Sequence, residues 1–373
     1  MTHRLPARSR WFATPALAAI TVLATALAGG APAQAASSHG WRVIRIVQPF
    51  NTNLLAIAAF RGSPAWVGGG TPAEAPVAYH LVRGTLHPVA LPGPTPSFVN
   101  SMSATSPTNV WASLSNAPGG PVVRLTKHGW VAHAFPIGTD QILADGVVTL
   151  SPKDTWAFNY DVITKTGYAY HYNGLSWHRQ ALPASVDANS DTGLVSGSSP
   201  SNIWALTFVK NRYASLRYNG KKWQVIPFPG SLAPAGTTVF AREILAVSET
   251  DVWAPIFTST KTGVGPVVLL HWNGARWSKI TGKPPRAALV GPLASDGSGG
   301  LWLSASNEAF TKPLLLHYSR GKWSTYTVPT AGGKDLSITA LALIPGSHSV
   351  LGAALIGETP GGNFGTAVLK YGP

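Results

Sequence analysis

From residue 39 onward, short apolar runs alternate with short polar turns, and each run is too brief to predict a helix. In one representative stretch the runs are GLVSGS (193–198), IWALTF (203–208), YASLRY (213–218) and WQVIPF (223–228), which predicts four consecutive strands. Pro, Gly and Asn mark the boundaries, while β-branched and aromatic residues fill the runs. Within a run, apolar and polar positions do not alternate cleanly. That predicts sheets covered on both faces rather than sheets with one wet side. The first run of each set is rich in Ala, Ser and Gly, as in ADGVV (144–148) and LASDG (293–297), the composition expected where strands crowd around an axis.

The set of four recurs. A polar turn leading into tryptophan appears at Trp66, Trp111, Trp156, Trp204, Trp253 and Trp302, with spacings of 45, 45, 48, 49 and 49 residues. Another 49 residues on, Leu351 in SHSVLGAAL holds the same frame, which makes seven units. A second turn-and-aromatic motif follows in each: TKHGW (126–130), YNGLSW (172–177), YNGKKW (218–223), WNGARW (272–277) and YSRGKW (318–323), with the divergent VRGTLHPVALP (82–92) in unit one. Asn109, Asp154, Asn202 and Asp251 stand two residues before the tryptophan, where an Asx side chain is expected to close the turn onto its own backbone. Asn-Gly at 173–174, 219–220 and 273–274 suits tight hairpins with positive φ.

Seven units of four strands predict an all-β, seven-bladed β-propeller with four-stranded antiparallel blades. The chain ends LKYGP (369–373), one strand short of a full unit, whereas HGWRVIRI (39–46) matches HGWVAHAF (128–135) in place and type. The N-terminal strand is therefore expected to complete the last blade and close the ring. A linear solenoid would need capping repeats instead of a split one.

The segment before the repeats has its own logic. Arg4, Arg8 and Arg10 precede the apolar run ALAAITVLATALA (16–28), and Ala33-Gln34-Ala35 follows, which predicts a signal peptide over 1–35 and a single propeller domain over 36–373. The apolar run is shorter than the roughly 20 residues of a bilayer span, so no transmembrane segment is expected after cleavage. Ser9 separates Arg8 from Arg10, and the twin-arginine signal is not matched. The expectation is a secreted monomer, extracellular or loosely held at the cell surface. The leader carries three of the basic residues, so the net charge of +14 falls to +11 in the mature chain. Charged residues are only 11% of the sequence, and Lys221-Lys222 is the longest basic cluster, which argues against nucleic acid and for a general attraction to anionic polymers. With no cysteine, the fold depends on its core, and no lipid can be attached at the cleavage site.

Asp251-Val252-Trp253-Ala254, followed by His271-Trp272-Asn273-Gly274 and Trp277, resembles the D-V-W-A…H-W-N-G-x-x-W repeat of a family of secreted bacterial β-propellers. The resemblance spans the mature chain and implies the blade architecture, not an activity. There is no Trp-Asp dipeptide, so the WD40 signature is not met, and paired glycines do not recur as in kelch repeats. Asp296-Gly297-Ser298-Gly299-Gly300-Leu301-Trp302 is similar to one blade of sensor-kinase propellers.

The second-strand tryptophans share the blade period and are expected to pack between blades, with carbohydrate stacking as the alternative. The same alternatives hold for Trp41, Trp130, Trp177, Trp223, Trp277 and Trp323 on the fourth strands, nearer the outer edge. One basic residue falls late in each third strand: His80, Arg124, His171, Arg217, His271, His317 and Lys370. A metal shared between blades is disfavoured, because strands ~4.8 Å apart put these positions about 17 Å from the axis and about 15 Å from one another. Zinc needs ligands roughly 2 Å away. A structural role beside the hairpin is expected, and no metal or cofactor.

H-E-x-x-H, phosphate-loop, calcium-loop and cysteine-nucleophile motifs are absent, and no catalytic residue is assigned. The longer second turns and blade connections share one face, where Lys165, Lys210, Arg212, Lys261 and Lys312 are the candidate ligand-binding residues. Asp187 and Asp191 are the one close carboxylate pair there. Three readings remain open: a binding module for a protein or an anionic cell-envelope glycan, a propeller-type glycosidase or lyase, and a structural protein without a small ligand.

Overall fold

The computed structural model describes residues 40–373 except 48–51, 63–64, 116–120, 136–141, 162–165, 187–194, 231, 233–236, 261–262, 265–266, 281, 283–284, 286, 308, 310 and 358–364. Among the described residues there is no helix. Val195–Ser199, Asn202–Val209, Arg212–Tyr218 and Trp223–Pro227 pair in chain order as an antiparallel blade, close to the runs read from sequence. Six further sheets repeat that order, and the first strand of each contacts the first strands of both neighbours around a closed ring. The protein is a seven-bladed β-propeller.

Ring closure is a covalently split blade. Leu336–Leu343, Val350–Ile356 and Gly365–Tyr371 are completed by Arg42–Val47, which runs antiparallel to the last of them from Arg42 opposite Lys370 to Val47 opposite Thr366. The Arg42 guanidinium donates to the Gly372 carbonyl at 2.5 Å, and Trp41 meets Trp302 of the sixth blade edge-on at 5.3 Å.

Burial peaks one strand out from the axis, and the first strands Phe98–Ser106 and Val195–Ser199 are only partly covered. The second strands Ala65–Gly70 and Asn109–Ser115 are buried throughout, which explains their lack of alternation, whereas the fourth strands Thr85–Ala90 and Lys322–Thr327 are largely exposed. Each first strand has no fifth strand beyond it, so part of its backbone must find partners elsewhere. Hydroxyls of the preceding blade supply them: Val147 and Thr149 N–H donate to Ser101 and Ser103 Oγ at 3.3 and 3.0 Å, and Ala246 N–H to Ser196 Oγ at 2.9 Å. Small hydroxyl residues thus serve as inter-blade pins.

Blade five departs from the pattern. Its first strand is split into Thr238–Ala241 and Leu245–Ser248, with three residues (242–244) standing against two of the second strand, Ala254 and Pro255. Pro255 brings no N–H to the ladder, and the neighbouring strand leaves register there.

The tryptophans of both strand types meet at the blade junctions. The second-strand indole of one blade faces the edge of the fourth-strand indole of the next: Trp66 with Trp130, Trp111 with Trp177, Trp156 with Trp223 and Trp204 with Trp277, at 5.3–5.5 Å. Trp253 and Trp323 share a core at the junction of blades five and six, and Leu351 packs with Leu86 at the seventh. Trp111, Trp156, Trp204 and Trp302 are at most 1% exposed.

Turn chemistry differs from the sequence expectation. In blades two, three and five the turn serines, not Asn109, Asp154 and Asp251, close onto the local backbone: Ser106, Ser151 and Ser248 Oγ accept from the N–H two residues on. The Asx side chains point into the blade. Asp154 Oδ1 accepts from Trp156 Nε1 and pairs with His171 Nε2, both at 2.9 Å, and Asp251 and Asp296 pair with His271 and His317 at the same distance. Each of these histidines lies opposite its blade tryptophan in the ladder and stacks on it at 4.1–4.5 Å.

Where the acid is replaced by asparagine, the histidine is replaced by arginine. Asn109 goes with Arg124 and Asn202 with Arg217, whose guanidinium groups lie 5.2 and 5.5 Å from the rings of Trp111 and Trp204. The asparagine Nδ2 then donates to the next blade, to Thr149 Oγ1 at 3.0 Å and to the Ser248 carbonyl at 2.9 Å. A carboxylate has no proton to donate there. The third-strand basic residues therefore act as lids on the tryptophans.

Candidate functional site

Antiparallel pairing in chain order puts the first and third turns of every blade at one end of the ring. That end is uniform. Asn173, Asn219 and Asn273 each accept two backbone N–H groups with Oδ1, and the glycine that follows each has φ between +86° and +96° and packs against the first turn of its own blade.

The other end varies from blade to blade. In blade four, Lys210 and Asn211 form a two-residue hairpin with φ of 51° and 58°, linking the second and third strands. Lys210 and Arg212 are both exposed there. Arg212 borders a groove of about 600 Å³ between this hairpin and the connection to blade five, lined also by Phe208, Tyr213, Val225 and Phe228 and reaching Thr238 of the next blade. The rings of Phe208 and Tyr213 lie 4.2 Å apart. The site thus combines a planar cation with aromatic walls.

Blade three has a groove of about 550 Å³ at the corresponding place, between the start of its third strand and the end of its fourth. It is lined by Tyr168, Arg179, Leu182, Pro183 and Val186, and the exposed Arg179 guanidinium lies 4.0 Å over the Tyr168 ring. Stacking fixes the plane of the guanidinium while leaving its N–H edges directed outward. Among the described residues, neither lining contains Asp or Glu.

Of the cations singled out from sequence, Lys210 and Arg212 come together on one hairpin. Lys312 lies exposed on blade six, where Asn307 Oδ1 accepts the N–H groups of Thr311 and Lys312 at 2.8 and 3.0 Å. Lys165, Lys261, Asp187 and Asp191 lie outside the described residues. Sequence reasoning missed the aromatic walls and Arg179, because those residues sit inside strand runs and read as ordinary strand formers. The signal available was a Lys-Asn-Arg turn flanked by Phe208 and Tyr213. Among the described residues, no group of three or more His, Asp or Glu is arranged to hold a metal ion.

Most of the chain matches solved propellers in fold. It is similar to YCF48 from Cyanidioschyzon merolae, with 13% identity and a TM-score of 0.58, covering 90% of this chain and 99% of that one. The WD40 β-propeller domain of Doa1 matches at 9% identity and a TM-score of 0.55, over 89% and 97% of the two chains. The GH74 xyloglucanase from Xanthomonas campestris matches at 13% identity and a TM-score of 0.56, over 87% of this chain and 55% of its own. The sequence matches no family model and no curated protein.

Proposed function

We propose that the protein is a secreted binding module, freed of residues 1–35 on export, that presents the irregular end of its propeller to a protein or an anionic cell-envelope glycan. We also place it with the secreted bacterial propellers whose D-V-W-A…H-W-N-G-x-x-W repeat it resembles. The observation that carries the reading is Arg212 at the rim of a groove walled by Phe208, Tyr213 and Phe228. Aromatic rings offer apolar faces at low entropic cost, and a guanidinium offers a planar fork for carboxylate or phosphate.

Retention on purified cell walls tests the reading. It should weaken as salt approaches 1 M, where the screening length falls to about 3 Å. Replacing Lys165, Lys210, Arg212, Lys261 and Lys312 by Ser should abolish retention, with melting unchanged. Replacing Lys127, Lys221, Lys222, Arg276 and Lys322 on the uniform end should leave it in place. Equal weakening by both sets would reduce the attraction to net charge and overturn the assignment to this face.

A further inference from the structure

Two grooves at corresponding places on successive blades are more than one small ligand needs. Each has one exposed arginine and an aromatic wall, and each opens at the irregular end of its blade. Among the described residues, neither Arg179 nor Arg212 has a carboxylate partner. Blade geometry sets the third strands of neighbouring blades about 15 Å apart, a span that a linear polymer can bridge and a monosaccharide cannot.

From this we infer that the grooves of blades three and four form one extended site for a linear acidic glycan, a chain of carboxylated sugars. Tyr168 and Arg179 would take one unit, and Arg212 with Phe208, Tyr213 and Phe228 a second unit further along the same chain. The inference rests on the binding reading above and deepens it. The sugar faces lie against aromatic rings, and the carboxylates meet the arginine forks, whose flat geometry matches a carboxylate in a way a lysine does not. Tethering makes the second contact intramolecular, so chain length, more than the strength of either groove, sets the affinity.

The experiment is a calorimetric titration of the mature protein with oligogalacturonates of defined length, from disaccharide to dodecasaccharide, alongside dextran and polyglycerol phosphate. The expected result is a rise in affinity of roughly 100-fold once the oligomer spans both grooves. Arg179→Ala and Arg212→Ala should each return the long oligomer to the disaccharide level, and Arg179→Lys should recover only part of the loss. The lysine variant also separates binding from any packing change at Tyr168. Affinity independent of length, or unaffected by Arg179→Ala, would overturn the two-groove site while leaving the module reading intact. Equal binding of polyglycerol phosphate would overturn the assignment to carboxylated sugars. Retention on cell walls with no uronate binding would sink this inference alone, and loss of both would sink the module reading with it.

Discussion

The indole N–H of Trp277 in blade five donates to the hydroxyl of Ser215 in blade four at 2.9 Å, and that hydroxyl donates in turn to the Ile226 carbonyl at 2.9 Å. The same junction elsewhere lacks the acceptor. Trp223 meets Ala169 at the position of Ser215, and its indole N–H is buried without a hydrogen-bond partner. Ser215→Ala should therefore cost about 1–3 kcal/mol, the penalty for a buried donor left unpaired. Ala169→Ser should stabilise by about 1 kcal/mol, by giving Trp223 its partner. Urea unfolding of the two variants measures both, and a neutral Ser215→Ala would show that the indole finds water instead.

Acid should weaken the protein at blade six. Burial alone would raise the Asp296 pKa, but the His317 side chain and the N–H groups of Ser298 and Gly300 outweigh it and hold the carboxyl below the ordinary carboxylate range. A carboxyl depressed in the folded state stabilises above its unfolded pKa of about 3.9 and loses that contribution as pH falls through the folded value. Melting temperature measured from pH 6 down to pH 2 (on the order of the carboxylate range) should fall less steeply in Asp296→Asn, which starts from a lower value at neutral pH. A parallel offset between the two curves would refute the role of Asp296 in acid sensitivity.

Glu243 has the opposite sign. It sits in the break of the first strand of blade five, and desolvation pushes its pKa up to about 8. Part of the residue touches solvent, but protein surrounds the carboxyl closely enough that the charged form is disfavoured. A raised acid binds a proton in the folded state that the unfolded chain releases, so stability declines as pH rises from the unfolded pKa toward about 8. Glu243→Gln should remove that decline and gain on the order of 4 kcal/mol above it. Chemical denaturation across that pH window tests the claim, and identical slopes for the two proteins would reject it.

Deleting residues 39–48, Trp41 among them, from a chain that begins at residue 36 would uncover the Gly365–Tyr371 edge and remove the cover that Trp41 gives Trp302. An open edge of apolar strand invites pairing with other chains. Light scattering should show association, and the melting temperature should drop by several degrees. A monomer that melts like the intact chain would mean that closure contributes nothing.

Blade count, strand order and the split seventh blade are all legible in the repeat. These depend on the recurrence of Trp66, Trp111, Trp156, Trp204, Trp253 and Trp302 and on the unfinished LKYGP, and a repeat states its period without reference to its neighbours. The tertiary structure decided what the recurring polar residues do. Asp154 and His171 are 17 residues apart, and only strand pairing brings them together over Trp156, so a turn role read from local chemistry gave way to a clamp. The candidate site was legible as a face, through Lys210 and Arg212, but not as grooves. Phe228 stands just past the fourth strand and Thr238 on the next blade, and Arg179 reaches Tyr168 across a strand pair, so the grooves exist only once strands are paired and, in blade four, once the next blade is in place. Local composition names the residues a strand can use, and strand pairing together with blade packing selects the few that line a surface.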